Sequence, residues 1–341
     1  MGIPLATVAF FGGIGLILGG SRLLPDAIEA VATRLHTPAS YTGFLTALGA
    51  NSPEIATAIA AMIAGARATG YGVIVGSNLF NLAALLGLAA IVAGKVSLPA
   101  RATAVHGGVG LLITAIGMVL VAGYLTPAIA SVLIFAIFLP YLALIGLPRA
   151  QLDALPLPAA LHDGIVLARG GQLEVEEEVK EQANDQSKRP PPPWPRTLAR
   201  LSFALVVIVI GSIALLKGAQ RLGVYFAVPQ ILVGALVLAF LSGLPNLYTA
   251  VRLGLRSRGR AVVSETVNSN TLNVIVGISI PSLVFGLQQA SRGVRIEAWW
   301  LLGLTALALA LTARRGGLRR REGAVIVAGY LAFVSVRVVV T

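Results

Sequence analysis

Long apolar runs, separated by short polar or basic turns, recur from one end of the chain to the other. About 20 apolar residues in helical form cross the hydrocarbon core of a bilayer. On that scale the runs predict ten helices near 3–35, 39–66, 70–93, 101–122, 126–147, 197–222, 228–254, 261–287, 297–313 and 322–340. The expected fold class is an all-α polytopic membrane protein. One segment breaks the pattern. Residues 150–196 hold "EVEEEVKEQANDQSKRPPPPWP", and eight of the 14 acidic residues fall there. The segment reads as a solvated linker with an extended Pro-rich tail, and it lacks an EF-hand loop pattern. It divides the chain into 1–149 and 197–341, with five predicted helices on each side.

Polar residues inside the apolar runs carry a second pattern. A shift of 192 residues lays "ALGANSPEIATA" (47–58) on "AFLSGLPNLYTA" (239–250), and "VGSNLFN" (75–81) on "VNSNTLN" (267–273). Pro53 then matches Pro245, Thr57 Thr249, Ser77 Ser269, Asn78 Asn270 and Asn81 Asn273. Apolar coincidences mean little in such a chain, whereas matched prolines and amides inside crossings mark a repeat, about 43–92 in the first half and 235–284 in the second. An odd number of crossings per half makes the halves enter the membrane from opposite sides. The expected architecture is two inverted five-helix repeats, a plan secondary transporters use to build a midplane site at the repeat interface. Pro53 and Pro245 are each expected to interrupt a helix and free carbonyl oxygens.

Composition sharpens this reading. Apolar residues make up 56% and charged residues 12%, where a soluble domain carries about a quarter charged; mean hydropathy is +0.85. Without cysteine, disulfides and thiolate chemistry are excluded. The first apolar run lacks a basic leader and reads as a retained helix. A net charge of +12 raises the question of nucleic acid, but the placement of the charge answers it. With the N-terminus outside, 20 of the 26 Lys and Arg residues fall on the inner side, so the charge sets topology. Both termini are expected outside and 150–196 in the cytoplasm, in the cell (inner) membrane of the source. The expected partners are the lipid bilayer and inorganic cations, with no nucleic acid.

The candidate chemistry is sparse. Six acidic residues lie outside the linker: Asp26, Glu29, Glu54, Glu265, Glu297 and Glu322. Only Glu54 is placed at mid-span, where an ionisable group is functional by default. Ser77 and Asn81 are four apart and share one helix face, as do Ser269 and Asn273. One carboxylate among hydroxyl and amide oxygens suits a hard cation such as Na⁺ or Ca²⁺. Glu265, four residues before Ser269, either adds a second carboxylate on that face or pairs at the interface with Arg258 or Arg260. His36, His106 and His162 lack ligand spacing, and His106 reads as a packing residue. No Ser/His, Asp/Asp or His-metal constellation lies within the crossings, so an enzyme is not expected and no cofactor is implied.

"LTALGANSPEIATAIAAMIAG" with "GYGVIVGSNLFNLAALLG", and the more divergent "LVLAFLSGLPNLYTAV" with "VVSETVNSNTLNVIVG", resemble the paired alpha repeats of the cation/calcium exchanger superfamily. The resemblance implies that helices 2, 3, 7 and 8 surround the ions, and that paired P-E glutamates bind calcium with help from Ser, Thr and Asn oxygens. Helices 1 and 6 are then expected to slide against this core. Carried over, the ligand set is Glu54, Asn51, Ser77, Asn81, Ser242, Asn246, Ser269 and Asn273. The chain departs from the pattern at Gly49–Ala50–Asn51 and Leu241–Ser242–Gly243, where family members carry G-T-S, and at Asn246, which replaces the second glutamate. The function expected is secondary active antiport of Ca²⁺ against Na⁺ or H⁺ through a site centred on Glu54. A monovalent cation/proton antiporter and a non-transporting descendant of an exchanger are the alternatives.

Overall fold

A computed structural model describes residues 1–35, 37–38, 41–182, 192–228, 239–287, 292–314 and 316–340. In chain order the helices are α1 (Ile3–Arg34), α2 (Thr42–Ala50), α3 (Ser52–Ile63), α4 (Arg67–Ala93), α5 (Ala100–Val121), α6 (Pro127–Gly146), α7 (Arg149–Asp153), α8 (Ala159–Gln182), α9 (Trp194–Tyr225), α10 (Ala239–Leu255), α11 (Gly259–Phe285), α12 (Arg292–Arg314) and α13 (Arg320–Val340). Eight of these, α1, α4, α5, α6, α9, α11, α12 and α13, are long and apolar enough to cross a membrane. The second predicted crossing is split into α2 and α3. The first part of the seventh, 229–238, lies outside the described residues, and α10 covers the rest.

The split follows from local chemistry. Pro53 sits in the first turn of α3, where its missing N–H would have had no helical partner anyway. At the joint, side chains bond backbone carbonyls: Asn51 Nδ2 donates to Ala47 O at 2.7 Å, Ser52 Oγ to Gly49 O at 2.7 Å and Thr57 Oγ1 to Pro53 O at 2.7 Å. The matching proline behaves otherwise. α10 runs without interruption from Ala239 through Pro245, so the interruption expected there is not found. An interior proline removes one i→i−4 bond and tends to bend a helix, and the helix on either side can continue.

α4 and α11 form the centre. Every residue from Thr69 to Asn81, and from Ala261 to Ile275, is buried. Each passes into a π-helical stretch just after its repeat asparagine, Leu82–Leu88 following Asn81 and Ile275–Ser279 shortly after Asn273. Such bulges are rare and concentrate at functional sites. A small antiparallel pair, Lys95–Ser97 with Gly317–Arg319, ties the end of α4 to the start of α13. Gly317 holds φ 135° there, and a Cβ would lie 2.3 Å from Val96 O, so only glycine fits.

The linker differs from expectation over its helical part. α8 presents Ile165, Ala168, Gln172 and Val175 to the core, each no more than 3% exposed. Their 3–4 residue spacing makes one buried stripe within a charged sequence. α8 is therefore docked on the core along 165–175, where a solvated linker was expected. The first two prolines of the Pro-rich run lie outside the described residues, and where description resumes Pro192 O accepts from Arg34 Nε at 2.9 Å.

α1 and α9 pair along one flank through glycines. A Cβ on Gly13 would sit 2.5 Å from Leu215 N, and one on Gly211 2.9 Å from Gly13 O. Neither backbone can yield without separating the helices, the close approach that small residues allow in lipid. Gly12, one residue away, has open space around it. Gly13→Ala should therefore destabilise the protein by about 1–3 kcal/mol, read as a lower melting temperature in detergent, whereas Gly12→Ala should not lower it. Equal melting temperatures for the two variants would refute this packing.

Candidate functional site

The polar centre is built from the two repeats by exchange. Asn78 Nδ2 donates to Asn270 O at 3.1 Å, and Asn270 Nδ2 donates to Asn78 O at 3.1 Å. Asn81 Nδ2 donates to Asn270 Oδ1 at 3.1 Å, and Asn273 Nδ2 to Asn78 Oδ1 at 2.9 Å. Each bond becomes its mate when 192 is added or subtracted, so α4 and α11 are locked through equivalent residues. Asn78 and Asn270 were matched in the repeat but not assigned to the site; their part is to hold Asn81 and Asn273.

The lock has a chemical consequence. Asn81 and Asn273 use their N–H groups on the partner helix, while Asn81 Oδ1 and Asn273 Oδ1 are buried with no hydrogen-bond partner among the described residues. An amide has separate donor and acceptor ends; here the donor is anchored and the acceptor is left available. Ser269 Oγ and Glu54 Oε2 are among the other buried oxygens in that condition, as are Glu265 Oε2 and the hydroxyls of Ser21, Ser212 and Ser264. Glu54 is fully buried in the first turn of α3 and its Oε1 accepts from Ser77 Oγ at 3.2 Å. That bond joins α3 to α4. Across the repeat interface, Asn246 Nδ2 donates to Asn51 Oδ1 at 3.1 Å, so the residue replacing the second glutamate holds the α2–α3 joint.

The structure thus brings Glu54 to Ser77, Asn51 to Asn246, and Asn81 and Asn273 to their bracing asparagines. Ser269 is fully buried. The side chain of Ser242 lies outside the described residues. Buried acceptors, one of them a carboxylate oxygen, are costly to leave unpaired, and oxygens of these kinds are the ones a hard cation prefers. Among the described residues no three His, Asp or Glu side chains are arranged to hold a metal ion. A cavity of about 930 Å³ lies elsewhere: it is an apolar groove between α1, α2, α3 and α9 and is lined by none of these polar residues.

Burial adds to the reading of the charges. Glu54 is not the only buried carboxylate. Glu297 is 1% exposed and pairs with Arg337 at 3.1 Å, joining α12 to α13. Glu265 is 2% exposed, and Arg260, one of its two expected partners, instead binds Glu174 Oε1 at 2.5 Å while Glu174 Oε2 accepts from Ala261 N. The burial of Glu265 and Glu297 was not legible in the sequence, because burial depends on which helices pack alongside. His106 does serve packing: its Nδ1 lies 2.5 Å from the Tyr141 hydroxyl and the two rings stack.

Comparison with known proteins agrees with the internal symmetry. The sequence profile described as sodium/calcium exchanger protein matches residues 5–147 and again 197–339, once in each half. Inner membrane protein YrbG of Escherichia coli is 24% identical over 290 residues, covering 82% of this chain and 80% of YrbG. CaxA of Alkalimonas amylolytica, a candidate antiporter, is 22% identical over 335 residues, covering 96% and 97%. The sodium/calcium exchanger of Methanococcus jannaschii shares the fold, with a TM-score of 0.60 at 19% identity, covering 98% of this chain and 99% of that one, in crystals soaked with Na⁺ and Sr²⁺. The chain belongs to the sodium/calcium exchanger protein family, whose members are membrane transporters rather than enzymes.

Proposed function

We propose that the chain is a secondary active cation antiporter, exchanging Ca²⁺ for Na⁺ or H⁺ through a midplane site centred on Glu54. The observation that carries this reading is the set of buried, unpartnered oxygens of Glu54, Asn81, Ser269 and Asn273. Asn51, Ser77, Ser242 and Asn246 complete the proposed ligand shell. The relatives, a sodium/calcium exchanger and a candidate antiporter, point the same way. Ten crossings in two inverted repeats, with both termini outside and 150–196 in the cytoplasm of an inner-membrane protein, fit the exchange symmetry of the asparagines and the positive-inside bias.

The charge balance favours a second reading enough to state it. One carboxylate with Ca²⁺ leaves a buried net charge of +1, whereas with a monovalent cation the site is neutral. At 4 Å and an effective dielectric near 20, one missing charge is worth about 4 kcal/mol. Asn246 supplies no such charge, and its N–H is engaged with Asn51. A monovalent cation/proton antiporter is therefore the competitor, and the exchanged ion decides between them.

Glu54→Gln removes the carboxylate at nearly constant volume. In proteoliposomes with imposed Na⁺ or H⁺ gradients, it should lower Ca²⁺ flux by more than about a hundredfold, the cost of losing one close charge–cation contact. Near-wild-type flux would exclude Glu54 as the centre. Asn273→Ala should cost less, because an amide oxygen carries only a partial charge.

Asn246→Glu tests the ion. If Ca²⁺ is native, a second carboxylate should tighten its binding by about tenfold or more. If the native ion is monovalent, the same change should depress native flux without producing effective Ca²⁺ exchange. Ca²⁺ affinity unchanged by Asn246→Glu would show that position 246 does not face the ion.

A further inference from the structure

Glu265 is a buried carboxylate that the proposed site does not use. It lies on α11 one turn before Ser269, which in turn lies one turn before Asn273. Residues four apart on a helix share a face and are about 6 Å apart along the axis. All three carry a buried oxygen without a hydrogen-bond partner among the described residues: Glu265 Oε2, Ser269 Oγ and Asn273 Oδ1.

The other faces of α11 are taken. Asn268 exchanges two bonds with Gln172 of α8, at 3.0 and 3.3 Å, and Arg260 binds Glu174. Val267 and Val274 pack on the glycines of α5 at 110 and 117. Asn270 and Gly277 face Asn78 and Ile74 of α4. Helical geometry leaves Glu265 and Ser269 the remaining sector, toward α2 and α10, which also pack on α11. Because Cβ bonds lean toward a helix N-terminus, the Glu265 carboxylate is displaced from Ser269 toward the end of α11 that α8 covers.

The position is also asymmetric. Its mirror in the first half is Val73, fully buried and apolar. The second half thus lacks a carboxylate at Asn246 and carries one at Glu265. An ionised carboxylate buried without donors needs a counter-charge, and oxygens spaced in steps along one face suit a hard cation moving between them.

We propose that Glu265 forms a second cation station on α11, displaced from the midplane site toward the face on which α8 docks. It receives an ion leaving Ser269 and Asn273, or passes one to them. The proposal rests on the midplane reading above, and one titration separates the two. Ca²⁺ is titrated by calorimetry into the purified full chain in detergent. The wild type should show a tighter and a weaker binding event. Glu265→Gln should lose the weaker event and keep the tighter within about twofold, while Glu265→Asp, which retains the carboxylate, should keep both. Glu54→Gln should lose the tighter event. Melting temperatures matching the wild type establish that the variants are folded, and Glu265→Asp carries the test if Glu265→Gln is not: a wild-type pattern in Glu265→Asp supports the station, and loss of the tighter event alone overturns it. A weaker event that survives Glu265→Gln overturns the second station, as does a wild type with one event that Glu265→Gln leaves unchanged. Loss of both events in a folded Glu265→Gln would place Glu265 within the midplane site and overturn a separate station. A tighter event that survives Glu54→Gln overturns the midplane reading and leaves Glu265 judged by its own event. A wild type that binds no Ca²⁺ overturns both.

Discussion

The structure depends on amides whose donors are committed and whose acceptors are not. Burying an unpaired amide costs about 1–3 kcal/mol, yet α4 and α11 bring Asn78, Asn81, Asn270 and Asn273 into a fully enclosed centre. The cost is offset because each N–H group is met by the opposite helix. The same bonds fix the crossing point of the two helices, since a shift of either would break reciprocal contacts together. What remains unsatisfied is the pair of carbonyl oxygens on Asn81 and Asn273. Rotating either amide to hide its oxygen would break the lock. The packing that makes the centre rigid is therefore the packing that keeps acceptors available.

Around this centre the two halves differ in ways that affect charge. α3 begins with Glu54, whereas the matching turn of α10 carries Asn246. α11 receives α8 at its start, where Glu174 bonds both the Arg260 side chain and the Ala261 N–H. A carboxylate accepting from the first turn of a helix satisfies an orphan donor and opposes the positive end of its dipole. The linker thereby anchors the start of the helix that carries Ser269 and Asn273.

Much of the fold was legible in the sequence, because bilayer crossing demands long apolar runs and because matched polar residues stand out against them. The repeat could be found from Pro53/Pro245, Ser77/Ser269 and Asn81/Asn273 without any structure. The candidate site was partly legible: Glu54 stood out as a charge, while the bracing role of Asn78 and Asn270 depends on contacts between residues 192 apart in sequence. The docking of α8 was hidden for a related reason. Its buried stripe contains Gln172 and lies among glutamates, so composition outweighed periodicity. Pro245 misled because a proline marks a lost bond and not necessarily a break. The π-helical stretches after Asn81 and near Asn273 leave no signature in residue type.

Two kinds of interface now define what can move. Within the centre, α3, α4, α10 and α11 are joined by directional hydrogen bonds, including Glu54–Ser77 and Asn246–Asn51. On the flank, α1 and α9 are joined to each other by glycine contacts and at their ends, where Arg221 bonds Met1 O and Arg34 lies over the Trp194 ring. Between that pair and α2–α3 lies the apolar groove. Displacing hydrogen-bonded helices strands buried donors, whereas displacing apolar surfaces past one another in lipid exchanges one set of dispersion contacts for another. Any relative movement is accordingly cheapest for α1 and α9 together, with the hydrogen-bonded centre held still.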